Sequence, residues 1–178
     1  MSAPNETLLP DDPYAPKPTW TEQNPTQAWA VTVFVLTAAL TYLAFPPANI
    51  GEAAYGALAA AVLWAMRAPA FKLYAITTLG ASVFAWTGLL AWLHNVTWIG
   101  LFLLGPVVGL IVGSWFLAAW WVMSKTRGHR VATRVLAMLG LAALWVVLEW
   151  VRGWIFGGFP WLPLAASQWQ RPAVLQAA

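Results

Sequence analysis

Apolar residues run through this chain in long blocks separated by short polar breaks. The first block covers 28–45 and stops at Pro46-Pro47, where missing N–H donors and the restricted residue before proline end a helix. Further blocks cover 51–66, 73–93, 101–123 and 131–151. A bilayer crossing needs about 17–25 mostly apolar residues at a rise of about 1.5 Å each. The first, third, fourth and fifth blocks meet that length. The second is short and reads either as a span helped by Ile50 and Gly51 or as a buried half-span. Ahead of the blocks, 1–27 is polar and carries Pro4, Pro10, Pro13, Pro16, Pro18 and Pro25. It has no apolar period to bury, so it reads as a disordered tail. It does not read as a signal peptide, because no basic start and short apolar run opens the chain.

Charge in the breaks decides between the two readings of the second block. Lys17 precedes the first block, Arg67 and Lys72 lie between the second and third, and Lys125, Arg127, Arg130 and Arg134 flank the fourth and fifth. The breaks after the first and third blocks hold no Lys or Arg. Basic loops gather on the cytoplasmic side of a membrane protein. The alternation therefore predicts about five crossings with a cytoplasmic N-terminus; dropping the second block would put basic loops on opposite sides. The expected fold class is an all-α integral membrane bundle over 28–151, with 152–178 as an aromatic, Gly/Pro-rich segment on the outer face. The expected location is the bacterial cytoplasmic membrane. The chain stops in a region still rich in apolar residues, and that reads as a truncation.

Composition agrees with lipid as the solvent. Hydrophobic residues make up 61% of the chain and charged ones 8%, against about 25% charged in a soluble domain. The 14 tryptophans suit headgroup layers, where the ring is buried and its N–H stays hydrated. The net charge of +3 comes from loop anchors and makes no basic face on a soluble fold, which argues against nucleic acid as a partner. The chain has no cysteine, so it holds no thiolate nucleophile and no thiolate metal site. Its two histidines, His94 and His129, are far apart, and neither a metal nor a cofactor is expected. Gly105, Gly109 and Gly113 recur at four-residue spacing in the fourth block. Such a stripe lets another helix approach closely. Packing within the bundle is the default reading and a dimer face the alternative. Pro106 is placed at the start of that helix, where a missing N–H costs little.

The most specific stretch runs over 149–170, EWVRGWIFGGFPWLPLAASQWQ. Glu149 sits near the outer end of an apolar helix, and Arg152 follows three residues later on the same face. Gly153, Gly157, Gly158, Pro160 and Pro163 are then expected to break the helix, while the sequence stays apolar and aromatic. Irregular backbone at membrane depth needs protein or a polar cavity around it, so the segment is expected to fold against the bundle at the outer headgroup level. Two readings stand side by side. One is an interfacial anchor, with Trp150, Trp154, Trp161 and Trp169 as an aromatic belt and Arg152 snorkelling to phosphate. The other is a lipid-handling wall, with Arg152 or backbone N–H groups holding an anionic headgroup. A Glu149–Arg152 pair clamping the following loop would account for the two charges without any ligand.

This stretch resembles the apolipoprotein N-acyltransferases. Their series of a Glu, an Arg-Gly-Trp, a Gly-Phe-Pro-Trp and a Ser-Gln is matched by Glu149, by Arg152, Gly153 and Trp154, by Gly158, Phe159, Pro160 and Trp161, and by Ser167 and Gln168. The Leu-Ala-Phe-Pro-Pro over 43–47 and the Trp-Leu-His-Asn-Val over 92–96 are similar too. Ala165-Ala166 departs from the Gly-Tyr that the family often carries there. The resemblance covers roughly 31–178. It implies transfer of an acyl chain from a phospholipid donor to the N-terminal diacylglyceryl-cysteine of a lipoprotein acceptor. In the family a nitrilase-like domain does this through a Glu–Lys–Cys triad and a thioester, with further membrane helices ahead of it. That domain is expected to lie beyond Ala178, so no catalytic residue is assigned in this chain and the chain alone is expected to be inactive. The competing class is a non-enzymatic scaffold or small transporter. A transporter would call for a polar path at mid-membrane, whereas Glu149 is nearly alone and close to one end.

Overall fold

A computed structural model of the chain describes residues 19–155, 158 and 161–176. Most of the expected tail, 1–18, lies outside the described residues, as do Gly157, Phe159 and Pro160. The described chain is helical: α1 Trp20–Gln23, α2 Pro25–Ala44, α3 Ala53–Ala65, α4 Phe71–Leu89, α5 Trp98–Thr126, α6 Val131–Trp154 and α7 Pro172–Leu175. Single 3-10 turns cover Ala91–Asn95 and Leu164–Gln168. Among the described residues three helices, α2, α5 and α6, are long and apolar enough to cross a membrane; α4, from the third apolar block, is not one of them. α3 has 13 residues and rises only about 20 Å, short of a hydrocarbon core of about 30 Å.

Side-chain contacts tie the connections between these helices to their neighbours. At one end of the bundle Arg67, just past α3, lies 3.9 Å over the Trp29 ring of early α2. There also Trp120 of α5 donates to Pro69 O at 2.9 Å, and the tilted rings of Phe71 and Trp120 meet with centroids 4.9 Å apart. At the other end Trp92 meets Trp161 at 5.2 Å and Gln168 reaches the backbone of Gly51. The connections on either side of α3 thus meet different neighbours, Arg67 the start of α2 and Gly51 the 3-10 turn Leu164–Gln168.

Helix boundaries move from the apolar blocks for local reasons. α2 starts at Pro25, three residues before the first block, because proline is tolerated in the first turn. α5 starts at Trp98, before the apolar density rises, which corrects the placing of Pro106. It lies inside the helix, where it removes the hydrogen bond to the Phe102 carbonyl. α6 carries on through Gly153 to Trp154, so Gly153 does not break the helix.

α5 is the central strut. A Cβ on Gly105 would lie 2.9 Å from Thr87 Cα, one on Gly109 2.5 Å from Val83 Cα and one on Gly113 3.0 Å from Leu79 Cδ2. The small-residue stripe therefore packs inside the bundle against α4. Ser82 Oγ of α4 donates to Gly109 O at 2.8 Å, closing the same seam. On the α6 side Trp115 Nε1 donates to Leu141 O at 2.7 Å, and the Trp115 and Trp145 rings meet edge-on at 5.6 Å. α6 packs chiefly on α5, and its only buried residues are Leu141 and Arg152.

Candidate functional site

The last turns of α6 carry the two charges that the sequence singles out, and both turn inward. Arg152 is only 2% exposed. Its guanidinium lies 4.8 Å over the Trp86 ring of α4, so an aromatic face covers one side of the cation. Its Nη2 donates to Leu162 O at 3.4 Å, while Nε and Nη1 are buried with no hydrogen-bond partner. Glu149 is half-buried and accepts the Leu164 N–H through Oε1 at 2.6 Å. The two residues do not form an ion pair with each other; both reach the backbone over 162–164. That stretch needs side-chain partners because its backbone is irregular. Leu162 has a positive φ of 53°, and Pro163 between the two bonds has no N–H to donate.

Below it, the 3-10 turn Leu164–Gln168 sits on the α2–α3 connection. Gln168 Nε2 donates to Gly51 O at 2.7 Å and lies 3.0 Å from Ser167 Oγ. Ser167 Oγ donates to Leu164 O at 2.7 Å. Trp169 Nε1 donates to Asn49 Oδ1 at 3.2 Å, and Arg171 forms an ion pair with Glu52. The approach is close enough that a Cβ on Gly51 would lie 2.6 Å from Ser167 O.

Of the candidates from the sequence, Glu149, Arg152, Ser167 and Gln168 come together as an internal polar brace. Trp154 does not; it is 71% exposed on the outside of α6, its ring 6.1 Å from that of Trp150. Gly153 has open space around its Cα. Gly158 turns the chain at a φ of 91°, its N–H on Ile155 O at 3.0 Å, where a Cβ would lie 2.7 Å from Gly153 O. Trp161 packs its ring at a tilt against that of Trp92. Phe159 and Pro160 lie outside the described residues. Sequence reasoning missed Asn49, Gly51, Glu52 and Trp86. The turn residues after Pro46-Pro47 mark a loop, but no local signal pairs Gly51 with a glutamine 117 positions later.

The family model for the apolipoprotein N-acyltransferase N-terminal domain matches residues 37–178. The chain is 31% identical over 153 residues to the apolipoprotein N-acyltransferase of Vibrio vulnificus, covering 75% of this chain and 27% of that protein. It is 31% identical over 151 residues to that of Chromobacterium violaceum, covering 80% of this chain and 29% of the relative. A shorter match, 48% identical over 50 residues, is to that of Methylococcus capsulatus, covering 28% of this chain and 10% of that protein. The chain thus spans less than a third of the length of these relatives. No solved structure matches.

Proposed function

The chain belongs to the apolipoprotein N-acyltransferase family, and from that membership we propose that it is the membrane-embedded part of an enzyme that moves an acyl chain from a phospholipid to the N-terminal diacylglyceryl-cysteine of a bacterial lipoprotein. The observation that carries the reading is the inward turn of the family's polar series. Glu149, Arg152, Ser167 and Gln168 hold an irregular aromatic segment at one end of an apolar bundle. A nearby catalytic domain needs such a fixed shelf to meet lipids that arrive laterally through the bilayer. Holding reactants in place supplies a large part of the barrier reduction in acyl transfer. The thioester chemistry that the family resemblance implies needs a cysteine, and these 178 residues have none.

A graft tests both halves of this reading. The 178-residue chain incubated with phospholipid should take up no hydroxylamine-sensitive acyl group. Exchanged for the aligned region of the Vibrio vulnificus relative, in cells depleted of their own enzyme, it should restore triacylated lipoprotein. A graft that inserts and accumulates normally yet leaves lipoproteins diacylated sinks the proposal.

The orientation we propose has the N-terminus in the cytoplasm of a bacterium and the aromatic segment at the outer face of its inner membrane. Its support is the positive-inside rule: Arg67, Arg127 and Arg130 sit in connections at one end of the bundle, and the connections at the other end hold no Lys or Arg until Arg171. The cysteine-free chain makes labelling clean. His129 and Trp161 are exposed at opposite ends of α6. On intact spheroplasts an impermeant maleimide should label Trp161→Cys and leave His129→Cys untouched. The reverse pattern would invert the topology.

A further inference from the structure

We propose that the Arg152 guanidinium is the recognition group for a phosphate oxyanion, that of a membrane lipid headgroup, entering the cavity between α5 and the end of α6. The proposal deepens the acyltransferase reading, since it gives the phosphate of a phospholipid donor a place in this chain.

The cavity measures about 110 Å³ and is walled by Leu104, Val107, Val108 and Ile111 of α5, with Ile155 and Gly158 beyond α6. That is several times the roughly 10–15 Å³ that a single water needs. Among the described residues every wall but one is aliphatic or glycine, and the exception is the Arg152 side chain. A guanidinium carries five N–H donors. Here Nη2 makes one long bond, and Nε and Nη1 make none although both are buried. Burying a cation at membrane depth without partners is costly, and the cost falls when an anion fills the donors. Glu149, one turn earlier, makes no ion pair with the guanidinium, and its Oε1 accepts the Leu164 N–H instead. Trp86 covers one face of the cation and offers no lone pair toward its N–H groups.

Direction of entry favours a lipid. Leu104, Val107, Ile111 and Ile155 are partly exposed, so the described aliphatic walls of the cavity reach the apolar flank of the bundle. A phosphodiester entering from that flank keeps its acyl chains against aliphatic walls while its oxyanion meets Arg152. Arginine suits the task because its charge persists at any depth and its planar N–H array matches phosphate oxygens.

The test follows the Arg152 Nε–H signal by nitrogen-15 NMR of the arginine-labelled chain in dodecyl maltoside micelles, whose surfactant carries no phosphate. Dihexanoyl phosphatidylglycerol should shift it saturably; neutral dihexanoylglycerol should not. Inorganic phosphate identifies the source: silence at millimolar phosphate assigns the site to the lipid, and a matching shift assigns it to a free anion of the same chemistry. Arg152→Gln should weaken phosphatidylglycerol binding at least ten-fold, and Arg127→Gln, on an exposed loop at the other end, should leave it unchanged. The wild-type signal decides the matter even if Arg152→Gln fails to fold. No response to either phosphate source, or an equal response to the neutral lipid, overturns the proposal. A graft that acylates while this signal stays silent would separate failure here from failure of the acyltransferase reading.

Discussion

Gly109→Ala is expected to destabilise the chain by about 2 kcal/mol, while Gly140→Ala, the same chemical change on the neighbouring helix, leaves it unchanged or up to about 1 kcal/mol more stable. Replacing glycine by alanine inside a helix gains up to about 1 kcal/mol of propensity at either site. At Gly140 nothing lies within 4 Å of the added methyl, so that gain stands. At Gly109 the methyl would sit 2.5 Å from Val83 Cα, 2.9 Å from Val83 N and 3.1 Å from Ser82 O. All three are backbone atoms, so no rotamer change relieves the clash and α4 must move away from α5. Overpacking of this kind costs about 1–3 kcal/mol. The shift also breaks the 2.8 Å bond from Ser82 Oγ to Gly109 O, worth roughly 0.6 kcal/mol between membrane helices. Loss therefore outweighs gain at Gly109 alone. Denaturation in dodecyl maltoside, followed by the fluorescence of the tryptophans at the seams, reads the difference. Equal stabilities for the two variants would mean that α4 and α5 do not meet along this stripe.

The stripe is an instance of what the sequence made legible. Glycines at four-residue spacing announce a close helix contact, because only the missing side chain gives that spacing a use. Choosing between a contact inside the bundle and one with a second molecule took the position of α4, to which nothing local in the fourth apolar block refers. The five longer helices were legible for a similar reason: hydropathy and loop charge act over a few residues, and each block carries its own signal. Boundaries were less so. α5 takes in Trp98–Gly100 and Ser124–Thr126, where hydropathy falls but nothing stops the backbone ladder. Gly153 reads as a breaker, yet α6 runs past it to Trp154, with Ile155 as its extended C-cap. In the candidate site, Glu149 and Arg152 were conspicuous because charge is expensive in an apolar helix. Their spacing suggested partnership with each other, since residues three apart share a face. They share a backbone segment instead, and Trp86, Gly51 and Asn49 were hidden because they lie far away in sequence and are ordinary in type.

That shared segment sets the second large effect, at Glu149. Glu149→Leu removes the acceptor of the Leu164 N–H, 2.6 Å away, and takes a carboxylate from within one turn of the buried Arg152. An unmet buried donor costs about 1–3 kcal/mol, and breaking a fully buried charge arrangement about 3–5 kcal/mol. Because Glu149 is half-buried, the combined loss should fall near the lower bound of the latter range, about 3 kcal/mol. Glu149→Gln keeps an oxygen that can accept the N–H and loses only the charge, so its loss should be smaller, about 1 kcal/mol. The damage should also be local first. With Leu164 released, the 3-10 turn over Leu164–Gln168 loses its tether to α6 and keeps only its attachments to the α2–α3 connection at Asn49, Gly51 and Glu52. Amide hydrogen exchange over 164–171 should then quicken at least ten-fold in Glu149→Leu, while exchange in the middle of α5 changes only as far as global stability falls. Adding Gln168→Ala should free the segment further, because it removes the bond to Gly51. If Glu149→Leu leaves exchange over 164–171 at the wild-type rate, the carboxylate does not hold this segment, and the family's glutamate must be assigned another role.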